Sequence, residues 1–583
     1  MKLSILSTVS ALALATAAPA FAAPGSNSST VNQSGTNAVA TVTQAGEHDE
    51  SLATQSSNNN RATVSQTGIV GNKSTVTQSG SDNVAEVTQK DDGSTALGSV
   101  RPLNTSVIAQ GGNSNTAKLV QDTETAQVNS NSTIIQDGSR NTGDVIQRDD
   151  WQNSTIVQFS SDNSAVVRQG VDQTGGDTSF GNTSGATQDG AGGHTLAVTQ
   201  SGLRNFSSAY QAGASNDAIV TQLGTQGSST VDQRGNDNEA LLTQNGSGSG
   251  STILQGGNLN LATVDQNGNV LGSFVDQSGI DNRATVLQTG SNNSSSLSQG
   301  GSKNVGKVTQ SGSGNASNAS QTGVDSDVIV AQSGTASTST INQSSSDAGA
   351  FVDQSGDRNA STIVQSAGAG AGYWDTGTGE TYTTAYAEVD QHGNDLSSSV
   401  SQTGLSNLAT ISQIGSNNGS AVEQTGNATY AFVEQAGSGQ RSILRQSGTL
   451  TNFNNVQSGV HQSGADNTSE VNQGGNFSFP GDLNTDNVVN VVQSGLTNAS
   501  LINQGGTDNR SMLTQGGNNN SSNILQGGSD NDVFVNQNGN GNGSFVTQSG
   551  STNLTTVNQN SASNVSAVTQ SGTGNTAAVT QGM

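Results

Sequence analysis

A chain of 583 residues with 75 Gly, 3% aromatic and 10% charged residues lacks the Leu, Phe and charge from which an ordinary globular domain of this length is built. Its net charge of −25, from 18 Lys+Arg against 43 Asp+Glu, argues against a nucleic-acid partner, because phosphate binding needs clustered cations and the sequence has no basic stripe. So polar a chain either stays disordered or folds by a rule that repeats locally.

Lys2 precedes an apolar run from Leu3 to Ala18, and Ala20-Phe21-Ala22 satisfies the small-x-small rule for cleavage before Ala23. Residues 1–22 therefore read as a bacterial-type secretory signal peptide, followed by a short N-terminal segment at 23–28. No later apolar stretch approaches the roughly 20 residues of a membrane helix, so an exported chain with no membrane anchor is predicted. It has no cysteine, so stability outside the cytoplasm cannot come from disulfides.

From Gln200 to Gln365, Gln391 to Gln457 and Gln493 to Gln581 a glutamine recurs every 11 residues. The favoured unit is Q-x-G-x-x-N-x-[AS]-x-[VI]-x-Q, as in "QSGSDNVAEVTQ" at 78–89. Asn83, Ala85, Val87 and Gln89 fall at every second position, the period of a strand, and share one face. The residues after Gln78, "SGSD", are turn chemistry, with Gly80 suited to a positive φ.

Counting one strand for each terminal Gln gives 46 strands from Gln33 to Gln581, with Val, Ile or Leu two residues before the Gln in 41; the exceptions are Ala53, Ala186, Ala209, Ala319 and Asn455. The slot four before the Gln alternates. It is Ser in all 23 odd strands, among them Ser229, Ser251 and Ser273, and usually Ala in even ones, as at Ala240, Ala262 and Ala284, with Ser there once, at Ser511.

The true repeat is thus 22 residues with unlike halves, which predicts an all-β, two-sheet parallel β-solenoid of about 23 rungs. Chain direction reverses within a rung, so the Val or Ile of one sheet, such as Val264 or Val286, faces Ser or Ala of the other. Gln266, Gln277 and Gln288, like Gln78 and Gln89, stack into ladders that satisfy their own amides, as do the asparagines. Residues 29–583 form one solenoid with loop insertions near 90–104, 170–182, 366–384 and 474–486. Past the signal region only Pro102 and Pro480 remain, both in enlarged connections, consistent with a hydrogen-bonded sheet elsewhere.

The signature Q-x4-N-x5-Q, in Gln78, Asn83 and Gln89 or Gln277, Asn282 and Gln288, resembles the curlin repeat of curli fibre subunits over nearly all of residues 29–583. The resemblance implies a secreted functional amyloid of the biofilm matrix, active in cell adhesion and surface attachment. It also implies a minor nucleator subunit and an outer-membrane curli-type secretion channel as partners. End-to-end self-stacking follows from the unpaired edges of terminal rungs, with no capping segment after Gln581.

Other constellations point elsewhere only weakly. His48, His194, His392 and His461 are assigned to connections as solvated turn residues, with no metal site and no cofactor expected. "GGSDNDVFV" at 527–535 lacks the tandem nine-residue repeat of a calcium-binding β-roll. No serine has a nearby histidine base, so no catalytic residue is assigned. Tyr373, Trp374, Tyr382 and Tyr386 in the 366–390 connection offer a possible contact loop. A monomeric solenoid adhesin is the alternative to a fibre. An ice-binding solenoid with outward Thr-x-Thr pairs is disfavoured by Glu86, Lys118, Arg168, Asp276 and Arg445 in the same columns.

Overall fold

A computed structural model describes residues 27–68, 71–91, 104–123, 129–148, 151–170, 181–366, 373–374, 381–382, 385–447, 458–474 and 487–582. The signal peptide predicted at 1–22 and most of the predicted insertions lie outside these residues. The chain divides into two units, Met1–Asp281 and Asn282–Met583, each a two-sheet parallel β-solenoid with no helix among the described residues. Counted over both units there are 23 strands of each kind.

In the first unit Ser28–Gln33, Glu50–Gln55 and Lys73–Gln78 begin the serine-bearing sheet, and Val39–Gln44, Arg61–Thr67 and Val84–Asp91 begin the alanine-bearing one. Within each unit the strands of the two large sheets pair in parallel with their equivalents one rung away: Ser229 lies opposite Ser251, Val231 opposite Ile253 and Gln233 opposite Gln255. In the second unit Ala284 lies opposite Gly306 and Gln288 opposite Gln310. Register survives the long connections, since Gln78 pairs with Gln110 and Gln365 with Gln402.

Alternation dictates what is inside. Along Ser228–Gln233 only Ser229, Val231 and Gln233 are buried, and along Glu239–Gln244 only Ala240, Leu242 and Gln244. Fully burying each Val, Ile or Leu contributes about 1.5–3 kcal/mol before entropy is counted. Large faces small across the core: a Cβ on Gly143 would approach the Ile134 methyl to 2.9 Å, and one on Gly306 would meet Leu297 at 2.6 Å.

Three expectations are corrected. The strand predicted to end at Gln457, with Asn455 in its apolar slot, lies outside the described residues, and its place in the sheet is held by Ser458–Ala465, where Val460 is buried and Gln462 pairs with Gln435 and Gln493. This puts a second serine, Ser458, in the alanine-bearing sheet. Both glutamines fit the pattern, but only the later one places a Val two residues before it.

The positive φ expected at Gly80 is also corrected. Glycines at the same place in other arcs do take it, as at Gly202 (φ 88) and Gly213 (φ 95), but Gly80 is not left-handed, and in its arc the positive φ lies on the residue before the inward Asn, at Asp82 (φ 59), as it does at Asn37 (φ 57). Gly80 is required for another reason: a Cβ there would overlap the Gly112 carbonyl of the next rung. Asp and Asn tolerate the left-handed region because their short side chains bond locally. Finally, the histidines are not all turn residues, as described next.

Candidate functional site

Identity stacking gives the inward glutamines partners of their own kind. Gln78 Nε2 donates to Gln110 Oε1 at 2.8 Å and to the carbonyls of Asn83 and Arg61 at 3.1 Å. Gln89 Nε2 repeats this with Gln121 Oε1 at 2.8 Å and the Asn104 carbonyl at 3.1 Å. Each Gln thus ties its own sheet to the start of the facing strand as well as to the next rung.

The Asn column forms the expected amide ladder in places, as where Asn553 Nδ2 donates to Asn531 Oδ1 at 2.9 Å, and elsewhere bonds the backbone of the next rung. Asn83 Nδ2 donates to the Gly112 carbonyl in the next arc at 2.7 Å, and its Oδ1 accepts the Asn115 backbone N–H at 2.9 Å. Asparagine therefore clamps the arc, and glutamine joins the sheets.

The other predicted ladder residues lie in the core. Ala240, Ala262, Val264, Ala284 and Val286 are buried, as are Ser229, Ser251, Ser273, Gln266, Gln277 and Gln288. Ser251 and Ser273 share a hydroxyl contact of 2.8 Å, while Ser229 Oγ donates weakly to the Phe206 carbonyl at 3.4 Å. Gln266 donates to the Gly250 carbonyl at 3.2 Å, Gln277 to the Leu261 carbonyl at 3.1 Å and Gln288 to Gln310 Oε1 at 2.7 Å.

Tyr373–Trp374 and Thr381–Tyr382 pair as a two-residue antiparallel hairpin. Tyr386, predicted to belong to the same exposed loop, is instead inside strand Ala385–Asn394 and only 6% exposed, its ring 5.2 Å from that of Phe351. Tyr386 stands five residues before Gln391, the place where Ser228 begins the strand that ends at Gln233, so the regular strand already includes it.

His194 is buried at the Asn position of its rung: Nε2 lies 2.7 Å from the Asp189 carbonyl and Nδ1 accepts the Asn216 backbone N–H at 3.2 Å. Burial pulls its pKa below the usual 6.5, with the Asp189 carbonyl opposing. His461 sits in a strand, 3.0 Å from Glu434.

His392 also belongs to a strand, and its neighbours are acidic: Asp353, Asp390 and His392 bring one ligand atom each to within 4.8 Å of one another. Asp390 has its carboxyl pushed up, first by burial, with Asp353 adding and His392 opposing. Sequence reading missed this group because Asp353 and Asp390 flank the 366–384 insertion and become neighbours only through sheet register.

Elsewhere the outward columns carry cross-rung ion pairs, including Lys73 with Glu50 at 3.5 Å and Arg445 between Glu423 at 3.5 Å and Glu470 at 2.8 Å. Exposed pairs of this kind contribute about 0–1 kcal/mol each. They help set register more than stability.

The family model for the curlin-associated repeat matches residues 195–224, 274–301 and 385–415. The chain carries curlin-associated repeats. The first matched stretch spans Thr195–Gln200, Phe206–Gln211 and Asp217–Gln222, and the last spans Ala385–Asn394, Ser397–Gln402 and the Gln413 strand. Each of these two matches therefore covers three strands and the two arcs between them, the same half-rungs that the glutamine spacing marks. No curated protein matches the chain. A curlin-repeat β-solenoid is a structural rather than an enzymatic type of protein.

Proposed function

We propose that this curlin-repeat protein is a secreted structural subunit of curli-like amyloid fibres, contributing to biofilm matrix, cell adhesion and surface attachment. The observation that carries the reading is identity in register. Ser51 stacks on Ser74 and Gln55 on Gln78, so the edge that one rung offers its neighbour matches the edge that a rung of a second copy would offer. Ladder bonds of the Gln and Asn columns would then run between molecules as they run within one. Export through the periplasm, a curli-type channel and a nucleator subunit complete this reading.

Purified mature chain is expected to assemble after a lag, bind thioflavin and give cross-β spacings near 4.8 and 10 Å. A chain that remains monomeric at high concentration, with or without preformed seeds, defeats the fibre reading. If that monomer still attaches to cells, the solenoid adhesin takes its place.

A further inference from the structure

Parallel in-register stacking creates one awkward pairing on the outer face. Asp353, in strand Ala348–Ser355, stands directly opposite Asp390, in strand Ala385–Asn394, and Ser355 stands opposite His392. All four flank the inward Gln354 and Gln391 and so share one outward face. Like charges directly opposite each other destabilise a sheet. The in-register neighbours bring no cation: Ala331 adjoins Asp353, Ser412 adjoins Asp390 and Ile414 adjoins His392.

The local geometry is that of ligands converging. Asp390 Oδ1 is shielded from solvent and makes no hydrogen bond, although His392 Nε2 lies only 2.7 Å from it. The ring nitrogen and the carboxylate oxygen are therefore close together with no hydrogen bond between them. The other ring nitrogen, Nδ1, is 2.5 Å from Ser355 Oγ. With Nδ1–H donating to that hydroxyl, Nε2 is left as the free donor atom, the arrangement by which an outer partner fixes a metal-binding tautomer.

We propose that Asp353, Asp390 and His392 bind a divalent transition-metal ion of the Zn2+ class and thereby tie together the two rungs that flank the 366–384 insertion. One imidazole with two carboxylates suits Zn2+ and its neighbours, whereas Ca2+ and Mg2+ favour all-oxygen shells. Bonds of about 2.0–2.2 Å place tetrahedral ligand atoms about 3.4 Å apart. Binding would open the 2.7 Å approach of His392 Nε2 and Asp390 Oδ1 to this spacing and close the span of up to 4.8 Å by rotating the exposed Asp353 side chain. Three protein ligands leave a fourth position for water or for an incoming carboxylate.

The test uses the full mature chain. Co2+ titration should give the intense visible absorption of a low-coordinate site at one equivalent, and Zn2+ should displace it. H392Q and D390N should each weaken binding at least tenfold, whereas H461Q should leave it unchanged. Zn2+ should also raise the unfolding temperature of the wild type but not of H392Q. Far-UV circular dichroism identical to wild type certifies that the variants are folded. Binding equally strong in H392Q, equally weakened by H461Q, or absent from the wild type would each overturn the site.

Discussion

Replacing Gln233 by Leu isolates the contribution of a single ladder amide. Gln233 Nε2 donates to Gln255 Oε1 at 2.8 Å, to the Asp217 carbonyl at 2.9 Å and to the Asn238 carbonyl at 3.1 Å, and its Oε1 accepts Gln211 Nε2 at 2.9 Å. Two of these partners keep other bonds: Gln211 Nε2 still reaches Thr195 O and Asn216 O, and Asn238 O still accepts the Asp217 N–H. Gln255 Oε1, fully buried, loses its ladder donor. Leaving one such atom unpaired costs about 1–3 kcal/mol, and a further lost bond about 0.5–1.5 kcal/mol. Leucine has a similar volume, so no cavity is added.

The expected loss is therefore about 2–4 kcal/mol, confined to the neighbouring rungs because a repeat array opens locally. Amide hydrogen exchange of strands Phe206–Gln211 and Gly250–Gln255 should accelerate by about 30- to 700-fold. The same change at Gln581, which is only half-buried, should accelerate its neighbours less than tenfold. Equal effects at the two positions, or none at Gln233, would refute the claim that buried ladder amides hold the rungs.

Gly334→Ala places a Cβ onto the Gly356 carbonyl of the next rung; an overpacking loss of about 1–3 kcal/mol is expected, read as faster exchange in the adjoining arcs. His194 gives a pH dependence. Burial lowers its folded pKa below 6.5, so the unfolded chain takes up a proton that the folded chain refuses. Its contribution is full above about 6.5 and declines as pH falls towards the folded value. His194→Asn, which restores the residue usual at this place, should remove that part of the acid sensitivity, measured as the difference between the two denaturation profiles.

Much of this fold was legible because the same physics is repeated at every rung. The period-two run in Val84–Asp91 and the Ser/Ala alternation required two unlike sheets, and the pairing of Ser229 with Ser251 follows from that alternation. What stayed hidden depended on contacts between rungs. Gly80 reads as a turn glycine from sequence, yet its constraint is the neighbouring carbonyl, a contact with a residue far along the chain. Gln457 and Gln462 fit the same spacing equally well after an irregular connection, and only the buried Val460 separates them. The acidic pair at Asp353 and Asp390 was invisible for a related reason: adjacency across an insertion is a property of register, and sequence distance conceals it. Tyr386 was misplaced because the insertion before it hid its register: it stands five residues before Gln391, where a strand regularly begins.

Restored register after each long connection separates two kinds of information in the chain. The inward columns act as a ruler with a step of about 4.8 Å, and their letters are nearly fixed. The arcs are ports along that ruler: a segment inserted between a Gln and the next Asn, as between Gln365 and Gln391, changes nothing in the pairing of Gln354 with Gln391 or of Gln365 with Gln402. A foreign peptide introduced at such a port would be displayed at a known rung, and the scaffold beneath it would keep its own count.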